Sequence, residues 1–151
     1  MRPLDEARAE VLGAVTRQPA ETVPVFNARN RVLAAPVVAA QPVPSFANSA
    51  MDGFAVRASD VAEVPCELEI VEDVPAGSVP TLPVVEGQAT RIMTGAPVPE
   101  GADSIVIVEE TRSNESVVTV LASPTTGDHI RPAGSDVEAG ATILGEGIRL
   151  T

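Results

Sequence analysis

Cys66-Glu67-Leu68-Glu69-Ile70-Val71 is the stretch whose reading decides the fold. Cys66, Leu68 and Ile70 alternate with Glu67, Glu69 and Val71, so the period is two residues rather than 3.6. Such alternation gives a half-buried strand with one dry and one wet face. Reading outward, Gly53 to Arg57 forms a short strand before it. Gln88 to Thr94, Ser104 to Glu110 and Ser116 to Leu121 form strands after it. Shorter extended segments follow at 129–131, 142–144 and 147–150. Fourteen Pro and eleven Gly fit short strands joined by tight turns. Strands do not alternate with long helices, which excludes a doubly wound parallel sheet. The class is α+β, and mostly β.

The helical part lies at the N-terminus. From Pro3 to Thr16 the apolar residues Leu4, Ala7, Val11, Leu12 and Val15 share one helical face. Pro3 suits the first turn, and Asp5 and Glu6 suit the positive helix end. Glu21 to Phe26 is expected as a short strand. A second helix is expected over Ala28–Ala35, with Asn27 as its cap and Pro36 as its stop. Val37 to Ala40 reads as extended. Pro42 and Pro44 then stiffen the chain and mark a lobe boundary.

Composition narrows the function. Across 151 residues there are 21 acidic and 10 basic side chains, for a net charge of −11. Lys is absent, so every strong cation is Arg. A nucleic-acid or membrane-surface partner needs a basic patch and is not expected. Schiff-base chemistry and a P-loop lysine are excluded. One Cys (Cys66) and one His (His129) cannot build an ordinary zinc site or an intrachain disulfide. With no signal-peptide pattern in the first ten residues and no long apolar run, the expected location is cytoplasmic. Only three aromatic residues occur, all Phe, so the core must be aliphatic.

Three stretches look over-specified for mere connection. In 45–56, small residues surround Asp52, and Gly53 follows it. This carboxylate suits Mg²⁺, or a phosphate approached through that metal; the local pattern by itself favours a plain Asp-Gly turn entering a strand. In 91–103, Thr94-Gly95 at a strand end offers a hydroxyl with backbone N–H groups, which suits a phosphate or oxyanion; otherwise it is a rigid Pro-set loop. Glu109 and Glu110, closing the next strand, should point to opposite faces. In 129–140, Arg131 and Asp136 bracket a Gly turn. Arg131 offers a planar fork to phosphate, or else pairs with Asp136 to staple the turn. Ser135, His129 and Asp136 do not form a hydrolase triad, because no nucleophile-elbow pattern accompanies them.

Together these stretches resemble one family. Residues 44–56 (PSFANSAMDGFAV), 91–111 (RIMTGAPVPEGADSIVIVEET) and 130–150 (IRPAGSDVEAGATILGEGIRL) are similar to the N-terminal region of the molybdopterin molybdotransferases. This is the MoeA family, which includes the E domains of gephyrin and of the plant molybdenum insertase. Arg31-Val32-Leu33-Ala34 matches the family's helix before the first motif.

The resemblance implies a small discontinuous α/β lobe, domain I, over about 1–46 and 140–151. It implies a β-rich, barrel-like domain II over about 47–139, with domains III and IV absent from this chain. It implies Mg²⁺-dependent insertion of molybdate into adenylylated molybdopterin, with release of AMP. It further implies a homodimer whose cleft is shared between protomers, with a molybdopterin adenylyltransferase upstream. This chain would then supply one wall of the cleft and be inactive alone. Asp52, Thr94, Arg131 and Asp136 match the family's cleft positions, Gly95 and Glu109 join Thr94 and Arg131 at substrate, and Asp52 and Asp136 serve the metal. Gly134-Ser135-Asp136 departs from the family's usual Gly-Glu-Asp, and Phe54 replaces its more usual Tyr. Two other readings stand beside this one: a non-catalytic dimerisation or assembly module, and an unrelated metal-dependent β-rich phosphohydrolase.

Overall fold

A computed structural model describes residues 3–151, which divide into two compact units. The first comprises the described residues up to Val37 together with Leu144–Thr151, and the second is Val38–Ile143. The seams thus fall at 37/38 and 143/144, whereas the limits expected from the resemblance, 46/47 and 139/140, lie within the second unit.

The second unit is built on the alternation of its longest strand. The strands in chain order are β1 (Val37–Val38), β2 (Asn48–Ser49), β3 (Gly53–Val56), β4 (Cys66–Val74), β5 (Gln88–Ile92), β6 (Ser104–Ile107), β7 (Thr111–Ser113), β8 (Val117–Val120), β9 (Ile130–Arg131) and β10 (Thr142–Leu144). In β4, Leu68 is buried while Glu67 and Glu69 face solvent. A register shift between Ile70 and Glu72 then lets the strand change partner face. Six strands form one sheet in the order β6-β3-β5-β4-β8-β7, antiparallel except for β4 with β5. The edge strands β6 and β7 are consecutive in the chain, separated by a 3₁₀ turn at Val108–Glu110. Six flat strands would put their edges roughly 24 Å apart at the usual spacing. Four residue steps reach only about 14 Å. The sheet must therefore curl, and it forms a half-barrel.

Curling gives the sheet two buried faces. Phe54, Val56, Leu68, Ala89, Val106, Val118 and Val120 pack on one side, and Ala55, Val74, Ile92, Ala96 and Ile105 on the other. β3 is buried at every residue because it feeds both. Each large apolar side chain so buried contributes about 1.5–3 kcal/mol. Gly53 opens β3 where the ladder is tightest: a Cβ there would lie 2.0 Å from the Val106 carbonyl oxygen.

Several expectations for shorter segments are corrected. The helix α1 runs Leu4–Gly13, shorter than 3–16, and buries none of its residues. Glu21–Phe26 forms no strand; Val25–Asn27 is a 3₁₀ turn instead. Ala28–Ala35 is not helical. Asn30 takes a left-handed backbone (φ 66), and Val32 bridges Arg149 antiparallel. The Asn30 and Leu33 amides donate to the Leu150 and Ile148 carbonyls at 2.7 and 2.9 Å. The strand expected to reach Glu110 stops at Ile107, so Glu109 and Glu110 lie in the 3₁₀ turn, both exposed, rather than on opposite faces of a strand. β7 was not anticipated. No helix among the described residues is long and apolar enough to cross a membrane.

Candidate functional site

The segment 43–52 is the hinge of the site, because it is laced to both other motifs. On one side, Ser49 donates its amide to the Ala96 carbonyl (3.0 Å) and accepts from the Gly95 amide (2.8 Å). The Val98 amide extends this to Ala47 at 3.1 Å. On the other side, β2 pairs antiparallel with β9, Asn48 opposite Arg131 and Ser49 opposite Ile130. The Ala50 amide donates to the His129 carbonyl at 2.8 Å. Lower down, the Asp136 and Gly134 amides donate to the Val43 and Pro44 carbonyls at 3.0 and 2.9 Å. The first motif thus runs between the second and third.

Asp52 sits where this segment enters β3, so it is at once the last residue of a turn and an exposed carboxylate. Its Oδ1 accepts two hydrogen bonds from Thr94, from the amide at 2.7 Å and from Oγ1 at 2.6 Å. The Thr94 hydroxyl first, and its amide second, hold the carboxyl below the usual aspartate value. Among the described residues, no donor is paired with Oδ2. The Asp52 carbonyl accepts the Val108 amide at 3.0 Å, which brings the 3₁₀ turn carrying Glu109 alongside.

The Thr94-Gly95 donors are therefore not open as expected. Both Thr94 donors go to Asp52, and the Gly95 amide goes to Ser49. Gly95 is required by its backbone (φ +85), since a Cβ there would meet nothing within 4 Å.

Arg131 and Asp136 form a second pair, Nη2 donating to Oδ2. Both are half-exposed at 47%. The guanidinium, together with the Ser135 hydroxyl, keeps the Asp136 carboxyl below its ordinary value. The structure joins Asp52 to Thr94 and Arg131 to Asp136, with no hydrogen bond or ion pair between the two pairs among the described residues. His129 is exposed with a left-handed backbone (φ 56) and orients no nucleophile.

Among the described residues, no three His, Cys, Asp or Glu side chains gather as a cation cage. Mg²⁺ is commonly held by one or two carboxylates, with water and substrate phosphates completing the shell. Asp52, exposed and with Oδ2 unused, fits that chemistry; Asp136 is occupied by Arg131. A separate cleft of about 710 Å³ is lined by Glu72, Asp73, Arg91 and Ser113 and holds none of these pairs.

Sequence reasoning missed Ser49. It is 1% exposed, and its Oγ donates to the Met51 carbonyl at 2.5 Å and accepts from the Met51 amide at 3.3 Å. The available signal was a hydroxyl three residues before the carboxylate, in a stretch of small residues.

A curled β unit carrying these three motifs defines the N-terminal region of MoeA-type proteins. The family model for the MoeA N-terminal region (domain I and II) matches residues 2–151, and the chain belongs to that family. It is 47% identical over 130 residues to molybdopterin molybdenumtransferase 2 of Mycobacterium tuberculosis, covering 83% of this chain and 32% of that protein. It is 38% identical to molybdopterin molybdenumtransferase of Bacillus subtilis, covering 99% and 36%. A crystal structure of a molybdopterin biosynthesis MoeA protein from Pyrococcus horikoshii superposes with a TM-score of 0.87 at 29% identity, covering 99% of this chain and 39% of that one. The chain spans about one third of the length of these curated relatives.

Proposed function

We propose that this chain is the N-terminal region of a molybdopterin molybdotransferase. In this reading the full-length protein inserts molybdate into adenylylated molybdopterin with release of AMP, in molybdenum cofactor biosynthesis. The chain alone supplies one wall of the cleft and is inactive. The observation that carries the reading is the Asp52–Thr94 unit: a carboxylate with one oxygen doubly held and the other free, at the end of an interlaced loop segment.

Mg²⁺ bound there would neutralise charge on the phosphoanhydride. Asp52, whose Oδ2 is left without a donor among the described residues, would be the residue that holds the metal. Thr94 fixes the carboxylate so that little freedom is lost when a ligand arrives. Arg131, with donors beyond the one spent on Asp136, reaches a phosphate oxygen. Gly95, having no side chain, leaves room for the substrate to approach, and Glu109 lies on the turn next to the Asp52 backbone. Asp136, paired with Arg131 here, would be the second carboxylate able to hold the metal. The acidic wall repels phosphates without a cation, which favours the metal-bound order. The working protein is a cytoplasmic homodimer with its cleft shared between protomers, fed by a molybdopterin adenylyltransferase upstream.

The test is Asp52→Ala in the full-length enzyme, with cofactor formation measured in a reconstituted assay. Formation should fall by at least about 100-fold while the melting curve stays close to the parent's. Turnover at the parent rate would remove Asp52 from the mechanism. A second reading, a dimerisation or assembly module, is favoured by one observation: Leu4, Val11, Leu12 and Val15 are all exposed around α1. A stable dimer of the 151-residue chain on sizing would support it.

A further inference from the structure

We propose that Ser49 is a positioning residue whose buried hydroxyl sets the geometry of the Asp52–Thr94 pair. Ser49, like its neighbour Asn48, ties the three motifs together at the backbone, and its side chain is the one of the two that also closes onto the Met51 peptide. Its amide and carbonyl are bonded to Ala96 and Gly95, and it stands opposite Ile130 in the β2–β9 ladder. That same Gly95 follows Thr94 directly, so the Ser49 carbonyl fixes the peptide next to the donor that grips Asp52.

The hydroxyl acts on the other partner. Between Ser49 and Asp52 the chain must turn within two residues, Ala50 and Met51, before β3 begins at Gly53. Oγ closes that turn, donating to the Met51 carbonyl at 2.5 Å and facing the Met51 amide at 3.3 Å. Met51 is exposed, and its peptide leads straight into Asp52. One buried side chain therefore anchors both ends of the carboxylate–threonine contact: its backbone holds the Thr94 turn, and its Oγ holds the Asp52 turn. A hydroxyl present only for packing would not need both Met51 groups.

The idea deepens the proposed site, since it matters for function only if Asp52 is the metal-facing carboxylate. It is testable without that assumption. The side-chain carboxyl of Asp52 is titrated by NMR in the purified chain, with the Thr94 amide followed in the same samples. In Ser49→Ala the Asp52 titration should move up toward the ordinary aspartate value, and the Thr94 amide signal should shift. Ser49→Cys keeps nearly the same volume but carries a weak hydrogen-bonding group, and it should behave in the same direction should the Ala variant not fold. A folded variant of either kind whose melting temperature drops while Asp52 titrates as in the parent makes Ser49 a packing residue and overturns the proposal. Addition of Mg²⁺ to the parent chain separates the two ideas. If Mg²⁺ leaves the Asp52 signal unmoved while Ser49→Ala shifts its titration, the metal reading fails and the positioning role stands.

Discussion

Asp52 and Thr94 are 42 residues apart in the chain and 2.6 Å apart at their oxygens. Because Thr94 stabilises the ionised form, the Asp52 carboxyl titrates lower folded than the roughly 3.9 it shows unfolded. The stability this contributes is present above that unfolded value and is lost as pH falls through the folded one. Asp52 is solvent-exposed, so the effect on stability is minor, and titration is the better readout. Thr94→Val removes the hydroxyl and keeps the amide, so the Asp52 titration should move up part of the way by NMR; an unchanged curve would contradict the assigned contact. Asp52 stands out in the sequence as a candidate from its setting of small residues and a following Gly. Its partner does not, because neither local pattern nor spacing states which two turns a sheet brings together. The Thr94-Gly95 donors illustrate the limit: they do form a donor cluster, but the acceptors they serve, the Asp52 carboxylate for Thr94 and the Ser49 carbonyl for Gly95, belong to the protein itself.

Among the elements, most strands are legible from their apolar pattern, including the short ones at 130–131 and 142–144, but the distant partners they pair with are not. β8 alternates half-buried and buried residues and the first half of β4 sets buried Leu68 between exposed glutamates, whereas β6 is a run of buried residues that ends half-buried. The segment 28–35 has helical composition, yet its backbone groups are taken by 147–150, a long-range pairing that outweighs weak local propensity. Two predictions belong here. Gly53→Ala drives a methyl group into the Val106 carbonyl, which neither strand can yield without breaking the ladder. It should cost about 3 kcal/mol and lower the melting temperature by roughly 6–12 °C, measured by circular dichroism. A variant melting like the parent would mean that β3 and β6 do not approach so closely. The second concerns α1, ten residues long with no buried side chain. A helix that short is marginal on its own. Its amides should exchange with solvent orders of magnitude faster than those of β3 and β5, and equal protection would show that the apolar face is covered in solution.

For the molecule as a whole, charge is the dominant feature. Twenty-one carboxylates against ten arginines leave −11, and the self-repulsion of like charges opposes the compact state. Screening by salt shortens its range to about 10 Å at 0.1 M. The melting temperature of the chain should therefore rise by several degrees between about 0.02 and 0.2 M NaCl; a fall would mean that the ion pairs Arg17–Glu146, Arg31–Glu21 and Arg131–Asp136 outweigh the repulsion. The same acidity makes the proposed metal site a matter of selectivity, since many carboxylates are exposed and Asp52 is the one whose Oδ1 is held by both Thr94 donors. Paramagnetic Mn²⁺, a stand-in for Mg²⁺ that broadens nearby NMR signals at trace occupancy, tests this most directly in the labelled chain. The amides of Asp52, Gly53, Thr94 and Gly95 should broaden first, and Asp52→Asn should abolish that preference. Broadening spread over the other carboxylates, with the Asp52–Thr94 turn untouched, would contradict the account.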